Sequence, residues 1–203
     1  YGGVPYVDKV ADPADPTLYK DRDSYLFVAQ KVLEDFQFAL NYVRNDDTKR
    51  QVNRYVVGAY MSRELLYHAT WLKYHGTTVG PTSETVADAD IKELLQGAIN
   101  GADAVMSSGL YKIGNTYNAL FTTDDLANNP EIIWYREYTT GLQCNALMSY
   151  NGPEDQTQGG VTQNVIESYL CTDGLPIGQS PLYEGKDDPS IWNSFKNRDP
   201  RLY

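Results

Sequence analysis

The chain has 203 residues, 17 of them basic and 27 acidic, for a net charge of −10 at pH 7. That charge repels phosphate backbones and anionic lipid and so argues against nucleic acid as a partner. Aromatic residues are abundant and skewed, with 17 Tyr and 3 Trp against 5 Phe, which marks an ordered domain with amphipathic surface and not a disordered chain.

No apolar run approaches the roughly 20 residues of a membrane-spanning helix. The chain starts at Tyr1 with no Met, basic n-region or apolar h-region, so it reads as a piece of a longer protein whose targeting signal lies outside it. Its two cysteines, Cys144 and Cys171, form no C-x-x-C pattern and are too few for a disulfide framework or a zinc site. Both are expected as free thiols.

The opening, YGGVPYVDKVADPADPTLY, has proline and glycine without periodicity, so residues 1–23 read as an extended connection. Ala29, Leu33, Phe36, Leu40 and Val43 then step by the 4-3 alternation of an amphipathic helix, with Asp23 or Ser24 as its N-cap. RNDDTK breaks that helix. A second runs from about Arg50 to about His75 on the stripe Tyr55, Ala59, Ser62, Leu66 and Ala69, where Gly58, Ala59 and Ser62 are small enough to admit a close neighbour. HGTTVGPTS ends it and offers Thr82 or Ser83 as the next cap. The third helix carries Ala87, Ile91, Leu94, Ala98, Ala102 and Val105 and closes at Gly109. Three such helices with short breaks stack as antiparallel neighbours, in the manner of a helical-repeat array.

After Tyr111 the character changes. NTYNALF suggests a helical turn, EIIWYREY (Glu131 to Tyr138) has the enrichment of a short strand, and TQNVIESYL (Thr162 to Leu170) suggests one more helix. The rest has loop composition, and a long irregular segment in a compact protein is a place to look for function. The chain thus divides at 1–23, 24–110 and 111–203: a connection, a helical scaffold and a loop-rich face of one domain.

Catalytic signatures are missing: there is no G-x-S-x-G, no H-E-x-x-H and no phosphate-cradling loop. Glu64, His68 and His75 could converge from one helix, but a metal site needs a further ligand, and the plainer reading is a helix pair on a packed or solvated face. The acidic pairs Asp46-Asp47, Asp124-Asp125 and Asp187-Asp188 sit in turn-like sequence and do not have the facing geometry of a glycosidase. In NRDPRLY, Pro200 forces Asp199 out of helical geometry, and its carboxylate is free to bond backbone, Arg198 or Arg201 in a rigid corner. TDGLPIGQSP reads as a run of tight turns, with Gly174 at positive φ.

The blocks YGGVPYVDK, SSGLYKIGNTYNALF, NPEIIWYREY, VTQNVIESYLCTDGLPIGQSPLY and NRDPRLY, in this order and spacing, resemble the SusD/RagB family of outer-membrane proteins of Bacteroidetes, and they cover nearly the whole chain. The resemblance implies a mainly α fold of tetratricopeptide-like hairpins with a loop-rich face and a few short strands, and it makes this chain a middle fragment. It implies a surface protein of the outer membrane, lipid-anchored through an N-terminal part missing from this chain. Members bind glycans, or in some cases peptides, and pass them to a SusC-type TonB-dependent transporter as its lid, with no bond broken and no cofactor or metal. Glycan binding needs aromatic faces together with amide donors. The segment after EIIWYREY supplies Tyr138, Gln143, Asn145, Tyr150 and Asn151 as the expected ligand-binding residues. The competing expectations are a peptide-binding lid on the same scaffold and a helical-repeat adaptor that binds only protein.

Overall fold

The computed structural model describes residues 2–77, 84–114, 117–123, 125–138, 160–186 and 190–202. They are mainly helical and form two compact units, one of Tyr1–Asn115 with Thr123–Arg136, the other of Thr116–Thr122 with Glu137–Tyr203.

The first unit is built on three helices. α1 (Tyr25–Tyr42) starts where the Ser24 hydroxyl accepts a hydrogen bond from the Phe27 amide at 3.1 Å, as expected of a serine N-cap. The preceding connection is tied to it: the Asp23 carboxylate accepts from the Tyr6 amide at 2.6 Å and from Lys20 Nζ at 2.7 Å. α2 (Arg54–His75) begins after the expected start at about Arg50, because Asn53 takes the cap position. The Asn53 Oδ1 accepts from the Tyr55 and Val56 amides at 2.9 and 3.0 Å. α3 (Asp88–Met106) also starts after the expected Thr82 or Ser83, which lie outside the described residues. Here the Asp90 carboxylate accepts from the Ala87 amide at 3.0 Å, and Asp88 and Asp90 complement the positive end of the helix.

α2 is central, packing against α3 and against α1. The core joins Ala29 and Leu33 of α1, Met61, Leu65 and Leu72 of α2, and Leu94 and Ala98 of α3. Glycine decides how closely α2 and α3 approach. A Cβ at Gly101 would lie 2.6 Å from the Gly58 carbonyl oxygen, and one at Gly97 would lie 2.7 Å from Leu65 Cδ1. Position 58 thus meets 101 and position 65 meets 97, so the two helices run antiparallel. The small residues of α2 serve the close approach their size suggested.

Two expectations are corrected. The buried face of α2 keeps Ala69 of the stripe read in the sequence but not Leu66: Ala69 and Leu65 are 0 % exposed, whereas Leu66 is 51 % exposed. A helix held between two neighbours buries a wider arc than a single stripe, and the arc centres on Met61, Leu65 and Leu72. Glu131 to Tyr138 forms no strand, and the described residues contain no sheet, only an isolated bridge between Cys171 and Arg198. β-Branched and aromatic residues make a strand only beside another strand. Here the segment lies beside α2, where Trp134 meets Tyr60, and the Tyr135 amide donates to the Lys49 carbonyl at 3.0 Å.

In the second unit α4 (Tyr117–Thr122), α5 (Gln163–Ser168) and α6 (Ile191–Phe195) are short. Arg198 holds the unit together. Its side chain is 1 % exposed and donates from Nη1 to the Ser194 carbonyl at 2.9 Å and from Nη2 to those of Ile166 and Tyr169 at 2.7 and 2.9 Å. One guanidinium therefore satisfies carbonyls at the C-terminal ends of both α5 and α6, where cations are favoured. Antiparallel bonds from Thr172 N to Asn197 O and from Asp199 N to Leu170 O, each 2.9 Å, lock the two chain segments around it. Gly174 sits at φ 80° in the turn that follows. Of the two arginines available to Asp199, only Arg201 takes its carboxylate, through Nε at 2.9 Å and Nη2 at 2.5 Å. That fork, with the Arg201 amide, holds the Asp199 pKa down at about 2. Cys171 is buried and free, and Cys144 lies outside the described residues.

Leu65→Ala is expected to lower stability by about 2–5 kcal/mol through the cavity it leaves, whereas Leu66→Ala changes it by no more than about 0.5 kcal/mol as a surface substitution. Gly101→Ala drives a methyl group into the Gly58 carbonyl and costs about 1–3 kcal/mol. Urea unfolding of the three variants checks the order, and a larger loss at Leu66 than at Leu65 contradicts the packing described. Arg198→Met removes the donors of three part-buried carbonyls and is expected to cost about 1–3 kcal/mol. Hydrogen exchange at Thr172 and Asp199 reports it, and unchanged protection there argues against the guanidinium as the organising group.

Candidate functional site

The first unit has an open cleft of about 590 Å³ between the α1–α2 connection and the residues that follow α3. Its walls include Asp47, Lys49, Arg50, Tyr111, Asn128 and Tyr135. The volume is that of a small-molecule site.

The walls are fixed by the chain itself. The buried Asn53 side chain that caps α2 also donates from Nδ2 to the Thr48 carbonyl at 3.2 Å, so the cap of the helix fixes the connection before it. Asp46 closes the turn, accepting from the Thr48 amide at 3.0 Å and from Arg44 Nε at 2.6 Å. Both partners hold its pKa below the usual carboxylate range, the Thr48 amide most strongly. Lys49 reaches the opposite wall and donates from Nζ to the carbonyls of Ala127 and Asn129 at 3.0 and 2.7 Å. Arg50 Nε donates to the Tyr135 hydroxyl at 3.2 Å. With the Tyr135 amide bonded to Lys49, four hydrogen bonds lace the two walls, which therefore do not have to be ordered by a ligand.

Aromatic rings line the cleft and its surroundings. Tyr111 packs edge-on against Tyr55 with centroids 5.7 Å apart. Burial raises its pKa, and the Tyr55 and Asp47 charges add to the effect. Its hydroxyl is buried without a hydrogen-bond partner among the described residues. Next to this cleft a shallower groove of about 300 Å³ runs between α2 and residues 131–134. There Tyr60 and Trp134 meet edge to face at 6.3 Å, 44 % and 46 % exposed. Exposed rings beside fixed polar groups suit the apolar faces and hydroxyl edges of a polyhydroxylated ligand.

Of the residues expected to bind ligand, Tyr138 is exposed in the second unit, and Gln143, Asn145, Tyr150 and Asn151 lie outside the described residues. The cleft residues had weaker signals. RNDDTK reads as a helix break, and Trp134 and Tyr135 sit in a segment that reads as a strand, so neither stretch stood out as one wall of a site.

Glu64, His68 and His75 do not form a metal site, and no cluster of three metal-ligating side chains exists among the described residues. His68 Nδ1 is instead 2.8 Å from the Tyr25 hydroxyl, between α1 and α2, and His75 stacks on Trp71 at 4.5 Å. Burial pushes the Tyr25 pKa up to about 12, with the Tyr67 charge adding to it. Burial also lowers the His68 pKa, against the opposing charge of Glu64. No described helix is long and apolar enough to cross a membrane.

No family model matches the chain, and no curated protein sequence matches it. Among solved structures, a SusD-like protein from Bacteroides fragilis matches with a TM-score of 0.62 at 22 % identity. The match covers 100 % of this chain and 38 % of that one. The chain has the fold of a SusD-like protein along its full length and spans 38 % of that neighbour's length.

The neutral His68 ring favours the folded state, because its folded pKa lies below the ordinary value of 6.5. This contribution is complete above about pH 6.5 and is lost as the pH falls through the folded value. Stability measured by urea titration is expected to fall from pH 7 to pH 5 in the parent and to fall less steeply in His68→Gln. Parallel pH profiles for the two proteins contradict the assignment.

Proposed function

We propose that this chain is the scaffold and part of the binding surface of a SusD-like protein that captures glycans at the bacterial cell surface. The observation that carries this reading is the full-length structural match to a SusD-like protein. It agrees with the order of blocks that resembles the SusD/RagB family along the sequence. In this reading the protein sits on the outer membrane, held by a lipid anchor outside this chain. It passes its ligand to a SusC-type TonB-dependent transporter, works by binding alone, and catalyses no reaction.

The chemistry of the cleft supports a glycan as the ligand. Its walls are pre-ordered, its rings are partly exposed, and its polar groups can meet hydroxyls. Tyr138, Gln143, Asn145, Tyr150 and Asn151 remain the proposed second set of contacts on the loop-rich face. A flat aromatic ring gains contact area with a pyranose at little entropic cost, because only two torsions are frozen.

Calorimetric titration with a panel of oligosaccharides and a peptide mixture tests the reading. At least one oligosaccharide is expected to bind without turnover, and Trp134→Ala or Tyr138→Ala to weaken it by about five- to thirtyfold, equivalent to about 1–2 kcal/mol. Saturable binding of peptides alone supports the peptide-uptake reading instead, and hydrolysis of a bound glycan makes the protein an enzyme.

A further inference from the structure

A surface helix normally turns apolar residues to the core and polar ones to water. α2 departs from this. Opposite its buried row of Met61, Leu65 and Leu72 it carries Tyr60, Tyr67 and Tyr74, all exposed, with Trp71 half-buried beside Tyr67. Residues seven apart return to within about 20° of the same face of a helix, so the three tyrosines form one row. Ring contacts extend the row sideways. Tyr60 meets Trp134 at 6.3 Å across the groove of about 300 Å³, and Tyr67 lies 5.9 Å from Trp71, which stacks on His75. Charged groups are set among the rings: Arg63 and Glu64 pair at 3.9 Å between Tyr60 and Tyr67, and Lys73 Nζ lies 5.4 Å over the Tyr74 ring.

These charges limit what can cover the row. A helix laid along it would take Arg63, Glu64 and Lys73 out of water, a cost that their mutual attraction does not repay. Sugar hydroxyls can bond such groups and leave them wet, while the apolar faces of the pyranoses lie on the rings. The spacing limits the shape of the ligand. A rise of about 1.5 Å per residue sets successive tyrosines about 10 Å apart, which is the length of two pyranoses in an extended β-1,4-linked chain. An α-1,4-linked chain coils away from a row that follows a helix axis.

We propose that the exposed face of α2 binds an extended β-1,4-linked glycan, with Tyr60, Tyr67 and Tyr74 each under every second sugar. The inference rests on the glycan reading above and narrows it to a polymer of one shape. The row starts in the groove beside the cleft, so the surface offered to the polymer is continued along the helix. Each added ring contributes contact area at little entropic cost, and affinity grows with the number of rings one chain reaches.

The test titrates the parent protein with β-1,4-linked glucose, xylose and mannose oligosaccharides of two and six residues and with an α-1,4-linked glucose hexasaccharide, alongside melting curves. One β-linked hexasaccharide is expected to bind at least about tenfold more tightly than its disaccharide and than the α-linked ligand. Tyr67→Ala is expected to lose about tenfold for that hexasaccharide and little for the disaccharide, and Tyr67→Phe, which keeps the ring, to stay within about threefold of the parent. Where Tyr67→Ala lowers the melting temperature, Tyr74→Ala, at the most exposed ring of the row, carries the same expectation. No gain in affinity with length, equal binding of the α-linked ligand, or a hexasaccharide affinity untouched by either alanine variant overturns the assignment and leaves the glycan reading standing. Self-association in sedimentation that Tyr67→Ala abolishes gives the face to a second copy of the chain and also overturns it. Binding of no oligosaccharide, in this set or in the wider panel, overturns the glycan reading and the assignment together.

Discussion

The close crossing of α2 and α3 at Gly58 and Gly101 is the contact on which the first unit depends. With no side chain on either helix at that point, the backbones come near enough for a Cβ at one position to fall within 2.6–2.7 Å of the other's carbonyl oxygen. This proximity lets Leu33 of α1 and Leu65 of α2 both reach Gly97, so a single small residue on α3 receives side chains from two helices. The core is correspondingly dense, and displacement of either helix would open it in several places at once. α2 therefore has a fixed position, and everything hung from its N-terminus inherits that position.

The cleft is what hangs there. Asn53 belongs to the helix through its cap and to the preceding connection through its bond to Thr48. Being fully buried, it transmits the position of α2 to residues 47–50 without slack. Lys49 and Tyr135 then fasten the opposite wall to the same connection. A cleft set on a helix terminus in this way is held more precisely than one carried by free loops.

What the sequence made legible follows from this arrangement. The three long helices stand out because each turns one apolar arc inward, and hydrophobic period survives a tertiary context that only reinforces it. The Ser24 cap is legible because a serine hydroxyl before an apolar stripe has one strong local use. The phase of α2 is less so. Tyr55, Ala59, Ser62 and Leu66 lead to the buried Ala69 as regularly as Met61 and Leu65 do, and the choice between the two rows is made by α1 and α3, which a local pattern does not contain. The Glu131 to Tyr138 segment misleads for the same reason, since strand propensity describes fit to a partner that the fold does not supply. Arg198 and Arg201 look equivalent in NRDPRLY, yet one is buried against three carbonyls and the other forms an exposed fork with Asp199. Their difference arises from α5 and α6, one of them some thirty residues away.

The cleft was nearly invisible in sequence because its residues carry no motif. Asp46 and Asp47 are adjacent and chemically identical, and only the fold gives one to a turn and leaves the other facing open space. Asp46 is held by Arg44 Nε and the Thr48 amide, which keep its pKa below the usual carboxylate range, whereas Asp47 lines the cleft. No local pattern in RNDDTK separates the two, because the difference is set by the turn and by an opposite wall drawn from residues 110–111 and 127–135.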